Sequence, residues 1–310
     1  MFKVLALDGG GIKGTYTAAV LDEIQKTLPN KRSIVEYFDL IVGTSTGGII
    51  ALGLANKLST AEVLSIYKDS GPDIFPLANS GPKGLIDWMF QTKYDPDGLR
   101  TSLANIFGNR ELDESTENVA ITSFDTANAS PVVFRSLYGK GTTRYENLKV
   151  VDVALATSAA PTYFPAASAG ETYMIDGGVW ANCPALVGLT EAKAHFNQRL
   201  NDIRILSIGT TTEPKFVNKS QQQGGIVDWA KPIPSTIMHA SKISVLAHTS
   251  ELAGHLQRID TVVQAGRFNL DDVSAVGDLE SLGRDEAHKN MDLCKGKFFR
   301  RLATHRQVAS

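Results

Sequence analysis

Three short stretches hold the residues best suited to chemistry. Gly43-Thr44-Ser45-Thr46-Gly47 is a G-x-S-x-G pattern between an apolar run, 39–42, and a small, apolar run, 48–55. The first run reads as a buried strand and the second as the start of a buried helix. That context turns the pattern into a nucleophile elbow. Ser45 would sit on a turn so sharp that its neighbours two residues away nearly touch, which suits Gly43 and Gly47. The turn would lift the hydroxyl to a helix N-terminus, where free N–H groups favour negative charge. A plain small-residue turn with a buried serine fits this pattern alone equally well. Asp176-Gly177-Gly178 follows an expected strand at 172–175. An acid before two glycines at a strand end leaves nothing to block close approach, although Asp-Gly is also a common turn. Asp8-Gly9-Gly10-Gly11-Ile12-Lys13-Gly14 joins the first expected strand to the first helix. Such a loop offers bare backbone N–H groups to an anion or an oxyanion.

Other chemistries fit these residues less well. Gly9, Gly11 and Gly14 match G-x-G-x-x-G, but the second strand ends in Val42-Gly43-Thr44-Ser45, without the acid that would hold a ribose. Lys13-Gly14-Thr15 has the wrong order for a P-loop. An ordinary α/β-hydrolase needs Ser, then an acid, then His. Ser45 comes after a single βα unit, too early for that fold. All six histidines, at 195, 239, 248, 255, 288 and 305, lie after Asp176, and none sits in a glycine-rich turn. Three of them, His239, His248 and His255, fall on one expected helix. If no histidine serves Ser45, Asp176 is the best-placed base.

The elements that must position these residues alternate between strand and helix. Strands are expected at 2–7, 39–42, 119–122, 131–137, 172–175, 203–208 and 261–264. Helices are expected at 15–28, 48–55, 59–70, 98–107, 149–156, 184–196, 235–256 and 278–303. Alternation of this kind gives an α/β domain around a largely parallel sheet. The chain reads as one domain, 1–310, with a motif-bearing core at about 3–210 and a remainder, 211–310, that completes the fold and has room for a regulatory part. Residues 71–98 read as irregular, with an apolar patch at 84–90, and 211–235 as loose, with a loop tip at Gln221-Gln222-Gln223-Gly224-Gly225.

Composition narrows the partners. Hydrophobic residues make up 43% and charged residues 21%, the balance of a soluble globular chain. The 31 basic and 33 acidic residues leave a net charge of −2, with no global pull towards a nucleic acid polymer. Cys183 and Cys294 show no metal or redox spacing, and a reducing compartment is the simpler reading. The first residues do not read as a signal peptide, and no run reaches the roughly 18 apolar residues of a membrane span. Residues 289–310 carry six Lys and Arg against one acid, around Phe298 and Phe299, and suggest contact with anionic lipid, although a solvated helix face with two buried phenylalanines is the commoner arrangement.

In motif, order and spacing the three stretches together resemble the patatin-like phospholipases. Thr157-Ser158-Ala159-Ala160-Pro161 and Leu206-Ser207-Ile208-Gly209-Thr210 agree with that resemblance, which covers about residues 3–210. It implies an α/β sandwich related to the α/β-hydrolases, with the elbow after the second strand. It implies a Ser–Asp dyad of Ser45 as nucleophile and Asp176 as base. The oxyanion hole would come from the N–H groups of Gly9, Gly10 and Gly11, with Gly43, Gly47, Lys13, Gly177 and Gly178 in support. Lys13 stands where many members carry Arg, and lacks the bidentate fork. No cofactor or metal is implied. The substrate would be membrane phospholipid, reached from the aqueous side by a cytoplasmic protein in peripheral contact with the inner membrane. The chain is similar to compact bacterial members, a group that includes antiphage effectors switched on by a cyclic dinucleotide. A cyclic dinucleotide activator and a homo-oligomer are therefore expected for that subgroup. The rival readings are a dinucleotide-binding α/β protein and a non-catalytic storage or scaffold protein of the same fold.

Overall fold

A computed structural model of the chain describes residues 1–69, 71, 92–139, 145, 147–229 and 233–304. The apolar stretch at 84–90 lies outside the described residues. Among the described residues eight strands form one sheet: β1 Phe2–Leu7, β2 Leu40–Thr44, β3 Val119–Asp125, β4 Ser130–Arg135, β5 Ala167–Ala169, β6 Thr172–Asp176, β7 Ile203–Ile208 and β8 His255–Ile259. The centre is parallel, in the order β3-β2-β1-β7-β8. Strands β4, β5 and β6 are antiparallel additions at the β3 end.

Strand β3 decides where the chemistry sits. One of its edges is covered along 120–125 by β4. The other edge is shared. Strand β2 pairs with it as far as Thr44 opposite Thr122, and β6 takes over with Asp176 opposite Ser123. Strand β2 runs forward and β6 runs back, so the two strands end against each other, one residue step apart along β3. The end of β2 is Ser45's side of the elbow, and the end of β6 is Asp176.

The helices are α1 Gly14–Lys26, α2 Thr46–Ala55, α3 Thr60–Asp69, α4 Pro96–Phe107, α5 Val150–Ser158, α6 Gly178–Ala181, α7 Ala185–His195, α8 Lys219–Gln223, α9 Ile226–Trp229, α10 Ile233–Leu252 and α11 Val276–Lys297. Strand alternation sends Leu5 and Leu7 into one core and Phe2, Val4 and Ala6 into the other. The first core holds α1, α2 and α5 and the buried side of α11, and the second holds α7 with Val245 and Leu246 of α10. Helices thus cover both faces, as a parallel sheet requires. Among the described residues no helix is long and apolar enough to cross a membrane.

Three expectations need correction. The helix expected to reach residue 256 stops at Leu252, and the last strand is His255–Ile259, not 261–264. The cause is Gly254, whose backbone lies so close to the Asn201 carbonyl that no side chain fits, while its N–H donates to Leu200 O at 2.9 Å. His255 is therefore on a strand, apart from His239 and His248. The glutamines expected at a loose tip form a capped turn of helix instead: the Asn218 side chain accepts from Gln221 N, and Trp229 Nε1 donates to Gln221 O. Phe298 and Phe299 pack against Tyr37 and Phe38 in the core, not outward towards lipid.

Candidate active site

Ser45 has φ 55° and ψ −124°, a left-handed backbone that a serine adopts only under constraint. The turn closes because its flanks have no side chains. A Cβ on Gly43 would run into the backbone of Gly47 and Gly48, and one on Gly47 into the Leu7 and Asp8 carbonyls. The Ser45 N–H donates to Thr157 Oγ1 at 2.8 Å, and that hydroxyl donates to Thr122 O at 2.7 Å. The C-terminal end of α5 thus braces the elbow. Ser45 is 9% exposed, at the start of α2.

Asp176 is 5% exposed, and the neighbouring Ser45 side chain favours its charged form. Its Oδ1 accepts from Gly178 N at 2.7 Å, and its own N–H donates to Ala159 O at 3.0 Å. A Cβ on Gly177 would collide with Thr122, so the chain can turn out of β6 beside β2 only with glycine there. Burial raises the Asp176 carboxyl from 3.8 to about 6, against the opposing effects of Ser45 and Gly178. A base of that strength works close to neutral pH.

The glycine loop uses its N–H groups unevenly. Asp8 N donates to Ile208 O, Gly9 N to Asn182 O, Ile12 N to Leu270 O and Lys13 N to Gly10 O. Gly9 was expected as an oxyanion donor, and its engagement with Asn182 removes it from that role. Gly10 and Gly11 remain, half-buried, with no acceptor for their N–H groups among the described residues. The Gly9 carbonyl is held by Thr210 Oγ1 at 2.9 Å and Asn182 Nδ2 at 3.3 Å. A Cβ built on Gly9 would lie 3.2 Å from that of Ser45, so the loop adjoins the serine. Two adjacent free donors in a loop that adjoins a serine are what an oxyanion hole requires.

A family model of the patatin-like phospholipases matches residues 5–189, which contain the elbow, the glycine loop and Asp176. The chain belongs to the patatin-like phospholipase family. It is 37% identical over 212 residues to a cGAMP-activated phospholipase of Pseudomonas aeruginosa, covering 68% of this chain and 63% of that protein. A cGAMP-activated phospholipase of Vibrio cholerae is 31% identical over 324 residues, 92% of this chain and 90% of that one. Patatin-like protein 2 of Arabidopsis thaliana is 31% identical over 321 residues, 90% of this chain and 77% of its own length. This patatin-like chain brings Ser45, Asp176 and the glycine loop together, and no described histidine bonds the serine. His195 faces Glu191, His248 bonds the Ser244 carbonyl and His288 faces Glu23. Lys13 is half-buried, and burial lowers its ammonium below the usual range.

Several patatin-site supports carry no mark in the motifs. Arg258 on β8 takes both Asp8 oxygens, at 3.0 and 2.5 Å, and Asp260 Oδ2 at 2.7 Å. Burial opposes its charge, yet the two carboxylates hold the guanidinium firmly protonated. It anchors the residue that opens the glycine loop. In the sequence Thr157 and Thr210 stand out only through the family resemblance, and Asn182 carries no signal.

Proposed function

We propose that this chain is a phospholipase of the A type, which cleaves acyl esters of membrane phospholipids through an acyl-enzyme on Ser45. Ser45 Oγ attacks the ester carbonyl and Asp176 takes its proton. The tetrahedral oxyanion accepts hydrogen bonds from Gly10 and Gly11 N–H. Collapse expels the lysolipid oxygen, which takes the proton back from Asp176. Asp176 then draws a proton from water, the hydroxide formed attacks the acyl carbonyl, and the fatty acid leaves as Ser45 Oγ takes that proton back from Asp176. The observation that carries this reading is the meeting of β2 and β6 on adjacent residues of β3, which brings Ser45 beside Asp176, a buried carboxyl that burial raises to about 6. The rival dinucleotide reading of the glycine loop has less support, because the Leu270 carbonyl lies against Gly11 and takes the Ile12 N–H. Fatty-acid release from phospholipid vesicles tests the proposal. Ser45→Ala should abolish it, and Ser45→Ala with Asp176→Asn should be no worse than either change alone. Residual turnover in a folded Asp176→Asn protein comparable to wild type overturns the base assignment.

The relatives from Pseudomonas and Vibrio carry cGAMP activation in their names, and that supports a cyclic dinucleotide switch here. The protein then rests at low activity, in peripheral contact with the membrane, and an activator binds the active arrangement more tightly than the resting one. Assembly into a homo-oligomer on activation supplies one such difference. Ester hydrolysis and light scattering with a panel of cyclic di- and trinucleotides test this part. Full activity unchanged by every member of the panel removes the switch and leaves the hydrolase.

A further inference from the structure

The chain between β8 and α11 has a part in the site that no motif marks. It runs past the glycine loop between two buried side chains, Phe268 and Ala275. The Leu270 carbonyl accepts the Ile12 N–H at 2.7 Å. It also lies against Gly11, whose φ is 57° and where a Cβ would run into that oxygen. Gly11 and the preceding Gly10 are the loop donors without an acceptor among the described residues. The next residue, Asp271, ties this carbonyl down. Its carboxylate accepts from Lys93 Nζ and, at 2.7 Å, from the Tyr94 hydroxyl. The Asp271 side chain is 11% exposed, so the pair is largely shielded from water. Lys93 Nζ also stands over the rings of Tyr94 and Tyr163, 5.3 and 5.7 Å from their centres. The backbone of the same two partners is fixed from another side. Lys93 N donates to Thr162 O at 3.0 Å and Tyr94 N to Tyr163 O at 2.9 Å. Thr162 is held at φ 75°, a left-handed backbone that a β-branched residue rarely adopts. The N–H groups of Tyr163 and Phe164 both reach the Ala160 carbonyl, and its neighbour Ala159 takes the Asp176 N–H. Hydrogen bonds and short pieces of chain thus run from the glycine loop through Asp271 to the strand end that carries Asp176.

We propose that Asp271 is a positioning residue for ester hydrolysis, which fixes the aim of the Gly10 and Gly11 N–H groups through the Leu270 carbonyl. The inference rests on the phospholipase reading above. An oxyanion donor helps only when it points at the developing charge, and a misplacement of about 1 Å can cost about 10²-fold in rate. Glycine restricts its own backbone less than any other residue, so consecutive glycines need a hold from outside the loop. The Leu270 carbonyl supplies it at the Ile12 N–H, on the peptide that follows Gly11. Leu270 in turn takes its place from a charge-assisted bond and a hydroxyl bond on the adjacent side chain, and such bonds are the strong ones. Asp271 therefore acts on the substrate only through the loop.

The test compares Asp271→Asn and Asp271→Ala with wild type in the full chain, on a soluble short-chain ester, with and without cGAMP. Asparagine keeps an oxygen for Tyr94 and loses the charge that pairs with Lys93, whereas alanine loses both. The value of kcat should fall in the order wild type, Asp271→Asn, Asp271→Ala, by about 10–10²-fold for alanine, with KM changed by less than about twofold. A trifluoromethyl ketone gives a second reading, because addition of Ser45 Oγ to its carbonyl leaves an oxyanion in the same hole. Its affinity should fall by the same factor as kcat/KM. The pH at which the rate rises should match wild type, since Asp176 is untouched. Thermal melts establish that both variants are folded at the assay temperature. Unchanged kcat in folded Asp271→Ala overturns the proposal, and so does a ketone affinity that does not follow kcat/KM. A loss confined to the melting temperature makes Asp271 a structural tie and overturns it as well. A wild type inert on every ester sinks the phospholipase reading and the catalytic role with it. Amide hydrogen exchange then still decides the hold on the loop: the Ile12 N–H should exchange faster in Asp271→Ala, and unchanged exchange refutes that hold.

Discussion

An ionised carboxylate at Asp176 works against folding, and Asp176→Asn makes that opposition measurable. Burial holds the folded pKa at about 6, against 3.8 for the free group. A carboxyl with a raised folded pKa binds its proton more tightly in the native state. Stability therefore falls as pH rises from 3.8 through about 6, and stays level above that. At 1.36 kcal/mol per pH unit the ionised form costs about 3 kcal/mol at pH 8. Asparagine has the same shape, keeps an oxygen for Gly178 N, and has no charge to bury. A chain of 310 residues unfolds with about 2.1 cal/mol/K per residue, so 3 kcal/mol corresponds to a rise in Tm of about 5 °C. At pH 4 the wild-type side chain is protonated in the native state, and the gain should shrink to about 1 °C or less. Thermal melts of both proteins at pH 4 and pH 8, alongside ester turnover, read the two effects together. The variant should be inert and more stable. Equal melting at pH 8, or a gain that does not change with pH, would refute the argument that burial tunes this base.

The same carboxyl predicts that kcat/KM on a soluble ester rises with pH through about 6 and levels off above it, read from a pH–rate profile. Gly10→Ala puts a methyl group into the Thr210 side chain and should lower kcat about 10²–10³-fold with little change in KM, as loss of an oxyanion donor does. Arg258→Met leaves the carboxylates of Asp8 and Asp260 without their shared cation. It should cost about 3–5 kcal/mol in urea unfolding, and full stability would show that the cluster is held by other groups.

The residues that must approach one another without side chains were legible. Gly43 and Gly47 are tied to the elbow by contacts within a few residues of chain or to the adjoining strand, and the sequence around Ser45 repeats that demand locally. Asp176 was legible for the same reason, through Gly177. What stayed hidden depends on partners far apart in the chain. The loss of Gly9 as a donor follows from Asn182, and only the folded chain brings the two together. Arg258 lies in a strand that an apolar count placed several residues later, because Gly254 ends the preceding helix by its closeness to Asn201. The capped turn at 219–223 is a polar helix with no buried face to give it a period.

The meeting of β2 and β6 along one edge of β3 has a consequence for how this site can vary. Thr44 and Asp176 take their places from adjacent residues of the same strand, Thr122 and Ser123. The distance between nucleophile and base is thus a lattice spacing of the sheet. It owes nothing to the length of chain that joins them. Insertions between β4 and α5 or between α5 and β5 can lengthen the path from serine to aspartate without moving either. Shifting the register of β3 by one residue displaces both partners at once and turns every side chain of the strand to the other face. The conserved quantity in such a design is an address on a strand, and the intervening chain is free to drift.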